Sequence, residues 1–189
     1  MPKRDIVVIG ASAGGPEALA EIVHRLPPAF PASIFVVVHF PAAVSSVLPR
    51  ILGRAGPLPA IHPEDGDPIL PGHIYVARPD CHLAIQDRRV RVTGGPRENG
   101  HRPAIDPLFR SAAHAAGPRV IGLVLSGNLD DGTAGLLTIK QHGGITVVQS
   151  PETAQYPGMP RSAIAHVPVD HVVTLEAVAD LLGRLTSEP

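Results

Sequence analysis

Ile6-Val7-Val8-Ile9-Gly10-Ala11-Ser12-Ala13-Gly14-Gly15-Pro16-Glu17-Ala18-Leu19-Ala20-Glu21-Ile22-Val23-His24-Arg25-Leu26 is the stretch that decides the fold. Its opening run of β-branched residues stops at Gly10, as a short buried strand does. Leu19, Ile22, Val23 and Leu26 then recur at i, i+3, i+4 and i+7, one face of a helix. Strand, turn and helix repeat along the chain. Residues 34–38 form a second apolar run without alternation, as expected of a parallel strand covered on both faces. A helix from about Ala43 to Arg54 follows, and Pro49 is expected to kink it. Further on, Ile105, Leu108, Phe109, Ala112, Ala113 and Ala116 lie on one helical stripe. A strand over 120–125, a helix near 132–141 and a strand over 145–148 continue the pattern. A last helix carries Leu175, Val178, Ala179, Leu182 and Leu185, with Thr174 as its expected N-cap. The expected class is α/β, a doubly wound, mostly parallel, Rossmann-like sheet. Within it, the short runs 73–77, 82–85 and 90–92 predict an antiparallel meander inserted between parallel strands.

A length of 189 residues predicts a single domain, residues 1–189. With 44% hydrophobic and 17% charged residues the chain buries a core and is not disordered. Sixteen Lys and Arg against seventeen Asp and Glu leave no basic footprint for a polyanion, and four Phe, two Tyr and no Trp offer no base-stacking platform. Nucleic acid is therefore not an expected partner. The single cysteine, Cys81, forms no internal disulfide, and the first residues lack a signal-peptide core, so a cytoplasmic location is expected. Runs such as 34–38 fall far short of the roughly 20 apolar residues that cross a bilayer, so no membrane insertion is expected.

Ligands of doubly wound sheets bind beyond the carboxyl ends of the strands, and the first end reads Gly10-Ala11-Ser12-Ala13-Gly14-Gly15. A dinucleotide fingerprint needs glycine where Ser12 stands, and an acid where the second strand ends in His39. A phosphate-cradling loop needs Gly-Lys-Ser/Thr where the chain has Gly15-Pro16-Glu17. Both nucleotide readings fail on those residues. Gly-x-Ser-x-Gly at 10–14 fits a strand-to-helix turn that presents a serine hydroxyl to a substrate. The plainer reading of the same turn makes Ser12 the cap of the helix that starts near Pro16.

A serine needs a base, and among ten histidines His39 ends the strand expected beside that of Ser12. The strand over 120–125 runs into Ser126-Gly127-Asn128-Leu129-Asp130-Asp131-Gly132, which offers a carboxylate to orient the imidazole. Either acid also reads as a helix cap. The order Ser, His, Asp and the early position of Ser12 argue against an α/β-hydrolase with His166 or His171 as its histidine. No His-Glu-x-x-His or Cys-x-x-Cys spacing suggests a metal, and Cys81 reads as a packed thiol rather than a nucleophile.

These residues resemble the catalytic domain of the chemotaxis protein-glutamate methylesterases, the CheB type. Ile9-Gly10-Ala11-Ser12-Ala13-Gly14-Gly15-Pro16 is similar to the family's serine turn, and Val37-Val38-His39-Phe40-Pro41 to its histidine strand. Pro71-Gly72-His73-Ile74-Tyr75-Val76-Ala77 with His82-Leu83 resembles its hairpin. Arg102-Pro103-Ala104-Ile105-Asp106-Pro107-Leu108-Phe109, the 126–132 loop and Gly158-Met159-Pro160-Arg161-Ser162-Ala163-Ile164 extend the likeness over nearly the whole chain. The resemblance implies a catalytic triad of Ser12, His39 and Asp131 and no cofactor. It implies hydrolysis of glutamate methyl esters on the cytoplasmic helices of chemoreceptors, with deamidation of glutamine as a companion reaction. Ala13, Phe40 and Asn128-Leu129 stand where the family commonly has Thr, Met and Met-Gly, which alters the pocket beside the serine. The chain starts at the first catalytic strand, without the N-terminal receiver domain that chemotaxis members often carry, so control by a separate regulatory protein is expected. The rival from another class is a catalytically silent module that docks on a receptor or signalling partner, with Asn128-Leu129 as the sign of drift.

Overall fold

Along the first strand, β1 (Ile6–Ala11), successive side chains enter two different cores. Val7, Ile9 and Ala11 join Leu19, Ile22, Val23 and Leu182, whereas Ile6 and Val8 join Leu108, Phe109 and Ile139 on the other face. With helices over both faces no side of the strand meets water, which is why its sequence lacks polar alternation. The computed structural model describes residues 3–40 and 46–188.

The elements follow in chain order: β1, α1 (Gly15–His24), β2 (Ser33–Val38), α2 (Leu48–Ala55), β3 (Ala60–Ile61), β4 (Ile74–Val76), β5 (His82–Gln86) and β6 (Arg89–Thr93). Then come α3 (Ile105–Ala116), β7 (Val120–Val124), α4 (Thr133–Gln141), β8 (Ile145–Gln149), α5 (Gly158–His166), β9 (His171–Val173) and α6 (Leu175–Ser187). Among the described residues seven strands form one parallel sheet in the order β3-β4-β2-β1-β7-β8-β9. Helices α1, α2 and α6 cover one face, and α3, α4 and α5 the other. This is the doubly wound α/β architecture expected. No helix among the described residues is long and apolar enough to cross a membrane.

The structure corrects several details. Among the described residues β5 and β6 are the only strands paired antiparallel; the run expected as the first strand of the meander is β4, parallel to β2. Burial explains the difference. Ile74, Tyr75 and Val76 are all buried and belong between sheet neighbours, whereas β6 alternates between buried and exposed positions. The second helix is α2, and the expected start at Ala43 lies outside the described residues. Pro49 sits in its first turn, where a missing N–H leaves no helical hydrogen bond unmade, so the expected kink has no cause. Thr174 does occupy the N-cap of α6, but its side chain makes no capping bond.

Candidate active site

The chain leaves β1 toward β2 on one side and later returns to place β7 on the other, so the crevice for a ligand opens at the carboxyl end of β1. Three loops meet there. Ala11 and Val38 are the last paired residues of β1 and β2, and His39 N–H donates to the Ala11 carbonyl at 3.3 Å. Ser12 and His39 are therefore the next residues on adjacent strands, whose axes lie about 4.8 Å apart. From the other side, Ser12 N–H donates to the Ser126 carbonyl at 3.0 Å, which ties the loop after β7 to the serine turn.

Ser12 does not cap α1. The N-cap is Gly14, left-handed at φ 74°, and no side chain caps that end. The Ser12 hydroxyl, half-buried, makes no hydrogen bond among the described residues, so the capping reading gives way to one in which the group is free to react. Ser126 Oγ steadies the turn by donating to the Ala13 carbonyl at 2.8 Å while accepting Tyr156 N–H at 2.9 Å. Beside it, Gly127 has no room for a side chain: a Cβ there would stand 2.8 Å from Ser12 Cβ and would collide with Met159 Sδ.

Of the two acids, Asp131 is the one that meets the histidine. Neither caps α4, whose N-cap is Gly132 with no capping side chain. Asp131 instead reaches across to the start of α3. Its Oδ2 accepts His39 Nε2–H at 2.6 Å and Ile105 N–H at 2.7 Å, while Oδ1 accepts Asn99 Nδ2–H at 2.8 Å and Asp106 N–H at 3.2 Å. Burial pushes its carboxyl up, but the bonds from His39, Ile105 and Asn99 and the histidine charge outweigh that and hold it below the ordinary aspartate value. With Nε2–H turned to Asp131, the other ring nitrogen of His39, Nδ1, is buried and has no hydrogen-bond partner among the described residues. A buried nitrogen left unpaired costs free energy, and a base needs such a lone pair. The two ring nitrogens are exchanged relative to chymotrypsin-type triads, in which Nδ1 faces the acid.

Three residues of this cluster escaped the reading of the residues themselves. Asp106 mirrors Asp131: its Oδ1 accepts Gly132 N–H and Gly135 N–H at the start of α4, at 3.1 and 2.7 Å. Burial raises its carboxyl above the ordinary value, opposed by the Gly135 bond and reinforced by the Asp131 charge. His101 lies flat on His39, ring centroids 3.5 Å apart and planes within 3°. Burial, then the charge of His39, lowers its affinity for a proton. Asn99 contributes the amide already described; its signal was the dipeptide Asn99-Gly100, a strong hairpin turn. The other residues weighed lie elsewhere. His166 bonds the Ser162 carbonyl on α5, His171 opens β9 at the sheet edge, and Cys81 is half-buried before β5. Among the described residues no group of three or more His, Cys, Asp or Glu is placed to hold a metal ion.

Residues 7–182 match the CheB methylesterase family. The chain belongs to that family. A putative protein-glutamate methylesterase/protein-glutamine glutaminase of Leptospira interrogans is 40% identical over 182 residues, covering 96% of this chain and 94% of that protein. The protein-glutamate methylesterase/protein-glutamine glutaminase of Yersinia pestis bv. Antiqua is 37% identical over 187 residues, covering 96% of this chain and 53% of that one. The chain thus spans about half the length of that relative and of others like it. The solved catalytic domain of the Thermotoga maritima CheB methylesterase has 34% sequence identity and a TM-score of 0.91, covering 97% of this chain and 100% of that one.

Proposed function

We propose that residues 1–189 act as one catalytic domain, a serine hydrolase that removes methyl esters from glutamate side chains on the cytoplasmic helices of chemoreceptors. The observation that carries this reading is the His39–Asp131 pair, which leaves a buried Nδ1 without a partner among the described residues, on the strand end beside that of Ser12. Membership of the CheB methylesterase family supplies the substrate class.

In this reading Ser12 Oγ attacks the ester carbonyl while His39 Nδ1 takes its proton, and Asp131 stabilises the imidazolium through Nε2–H. Main-chain N–H groups at the start of α1, that of Ala13 foremost, receive the developing oxyanion; such a donor contributes about 3 kcal/mol. The proton passes from His39 to the departing methanol, and water then repeats the cycle in reverse to free the glutamate and restore Ser12. The same steps on a glutamine amide release ammonia and give glutamate. All groups come from the chain itself, and neither a cofactor nor a nucleic acid takes part. The chain works in the cytoplasm, where the receptor helices lie. The silent docking module has no observation of its own in its favour, and the relatives' names are those of enzymes.

The test is methanol release from a methylated receptor fragment. Ser12→Ala is expected to lower turnover on the order of 10⁶-fold, as in serine hydrolases, with little change in thermal stability. Release at an unchanged rate overturns the serine mechanism.

A further inference from the structure

Asp131 and Asp106 cap each other's helices. Each carboxylate leaves its own element and receives main-chain N–H groups at the start of the other: Asp131 at Ile105 and Asp106 on α3, Asp106 at Gly132 and Gly135 on α4. Two buried negative groups are thereby brought face to face, and a single side chain lies between them. Asn99 Nδ2 donates one hydrogen to Asp106 Oδ2 at 2.7 Å and the other to Asp131 Oδ1 at 2.8 Å.

The turn that carries this amide is built for the purpose. Glu98 N–H donates to the His101 carbonyl at 3.0 Å and His101 N–H to the Glu98 carbonyl at 2.8 Å, closing a two-residue loop. Its central residues, Asn99 at φ 53° and Gly100 at φ 80°, have the positive angles of the tight turn that Asn-Gly favours. Arg110 anchors the loop by holding both oxygens of Glu98 at 2.8 Å. One short loop therefore delivers an amide to the acid and, through His101, a flat ring to the base. The turn needs only the backbone angle at residue 99. The amide bonds are a separate feature, so the two roles come apart by substitution.

We infer that Asn99 is a positioning residue: by bridging Asp106 and Asp131 it fixes the Asp131 carboxylate in the rotation that offers Oδ2 to His39. The inference rests on the hydrolase reading above. Deprived of the bridge, the Asp131 carboxylate keeps the Ile105 N–H but rotates away from the Asp106 carboxylate, and the His39 bond lengthens. A misplacement of up to about 1 Å costs as much as about 100-fold in turnover.

Asn99→Gly is the informative variant, because glycine accepts φ 53° and the turn survives while the amide is lost. Asn99→Asp, which also tolerates that angle and keeps the side-chain outline, replaces the donor with a third negative group. Two readouts apply to each: kcat and KM for methanol release, and the downfield proton resonance of the His39 Nε2–H shared with Asp131. The expected result is a kcat lowered 10- to 100-fold in Asn99→Gly and further in Asn99→Asp, KM within about twofold, and a resonance shifted or lost in both. Should Asn99→Gly not fold, Asn99→Asp carries the same comparison. A kcat within twofold of the unmodified protein with the resonance in place overturns the inference. If the unmodified protein releases no methanol, the hydrolase reading fails. The resonance then decides the bridge alone: displaced in the variants it supports Asn99 as the group that orients Asp131, unmoved it overturns that role.

Discussion

His39 Nε2 and Asp131 Oδ2 stand 2.6 Å apart, and the bond that joins them leaves the second ring nitrogen of His39 a buried acceptor with no partner among the described residues. One contact thus sets both the ring's tautomer and its reactive edge. Asp131→Asn can supply only one oxygen where the carboxylate accepts at both, and its amide offers hydrogens that favour the wrong tautomer. Turnover is expected to fall about 10⁴-fold, the scale seen when a triad aspartate is replaced. Steady-state methanol release alongside circular dichroism separates this from unfolding, and a loss below tenfold contradicts the role given to Asp131.

Gly127→Ala tests how tightly the serine turn is packed. The added methyl would stand 2.8 Å from Ser12 Cβ and collide with Met159, which is fully buried. Overpacking of this kind costs about 1–3 kcal/mol. Urea unfolding should show that loss, and turnover should fall with it because relief pushes Ser12 out of line. Unchanged stability and turnover would mean the turn yields freely.

Stability toward acid depends on carboxylates of opposite tendency. Asp170 is buried enough to be pushed up, yet Lys140 and the Thr146 N–H and hydroxyl bonds outweigh that and hold it below the ordinary value; Asp131 behaves alike. A depressed folded value means their contribution is present above the unfolded aspartate value near ~3.9 and is lost as pH falls through the folded one. Asp106, raised chiefly by burial, works in reverse: its contribution is present at low pH and lost as pH rises through its folded value. Asp170 ties the end of α4 to β8, away from the site. Asp170→Asn is therefore expected to cost about 1–2 kcal/mol at neutral pH and to flatten the decline below pH ~4, with turnover unaffected. Thermal melts from pH 3 to 7 check this; a decline as steep as that of the unmodified protein would contradict it.

How much of this was legible in the sequence follows from the range of each interaction. Ser12 and His39 could be placed on adjacent strand ends because those ends are a local consequence of the β-α-β repeat. Choosing between Asp130 and Asp131 was beyond the residues themselves, since only the approach of α3 to the loop after β7 decides which carboxylate finds donors. Whether Ser12 capped a helix turned on one backbone angle, that of Gly14. Strands β3 and β9, of two and three residues, are too short to show a period, and Gly158 and Pro160 disguise the first turn of α5. Asn99-Gly100 announced a turn, but the target of its amide exists only once α3 and α4 have packed together.

The most direct test of a serine activated by His39 is to react the protein with a fluorophosphonate and locate the adduct by peptide mass spectrometry. The expected product is a single phosphonylated peptide bearing the adduct on Ser12, absent in Ser12→Ala and formed far more slowly in His39→Ala. An adduct on another residue, or a rate on Ser12 that does not depend on His39, would contradict it.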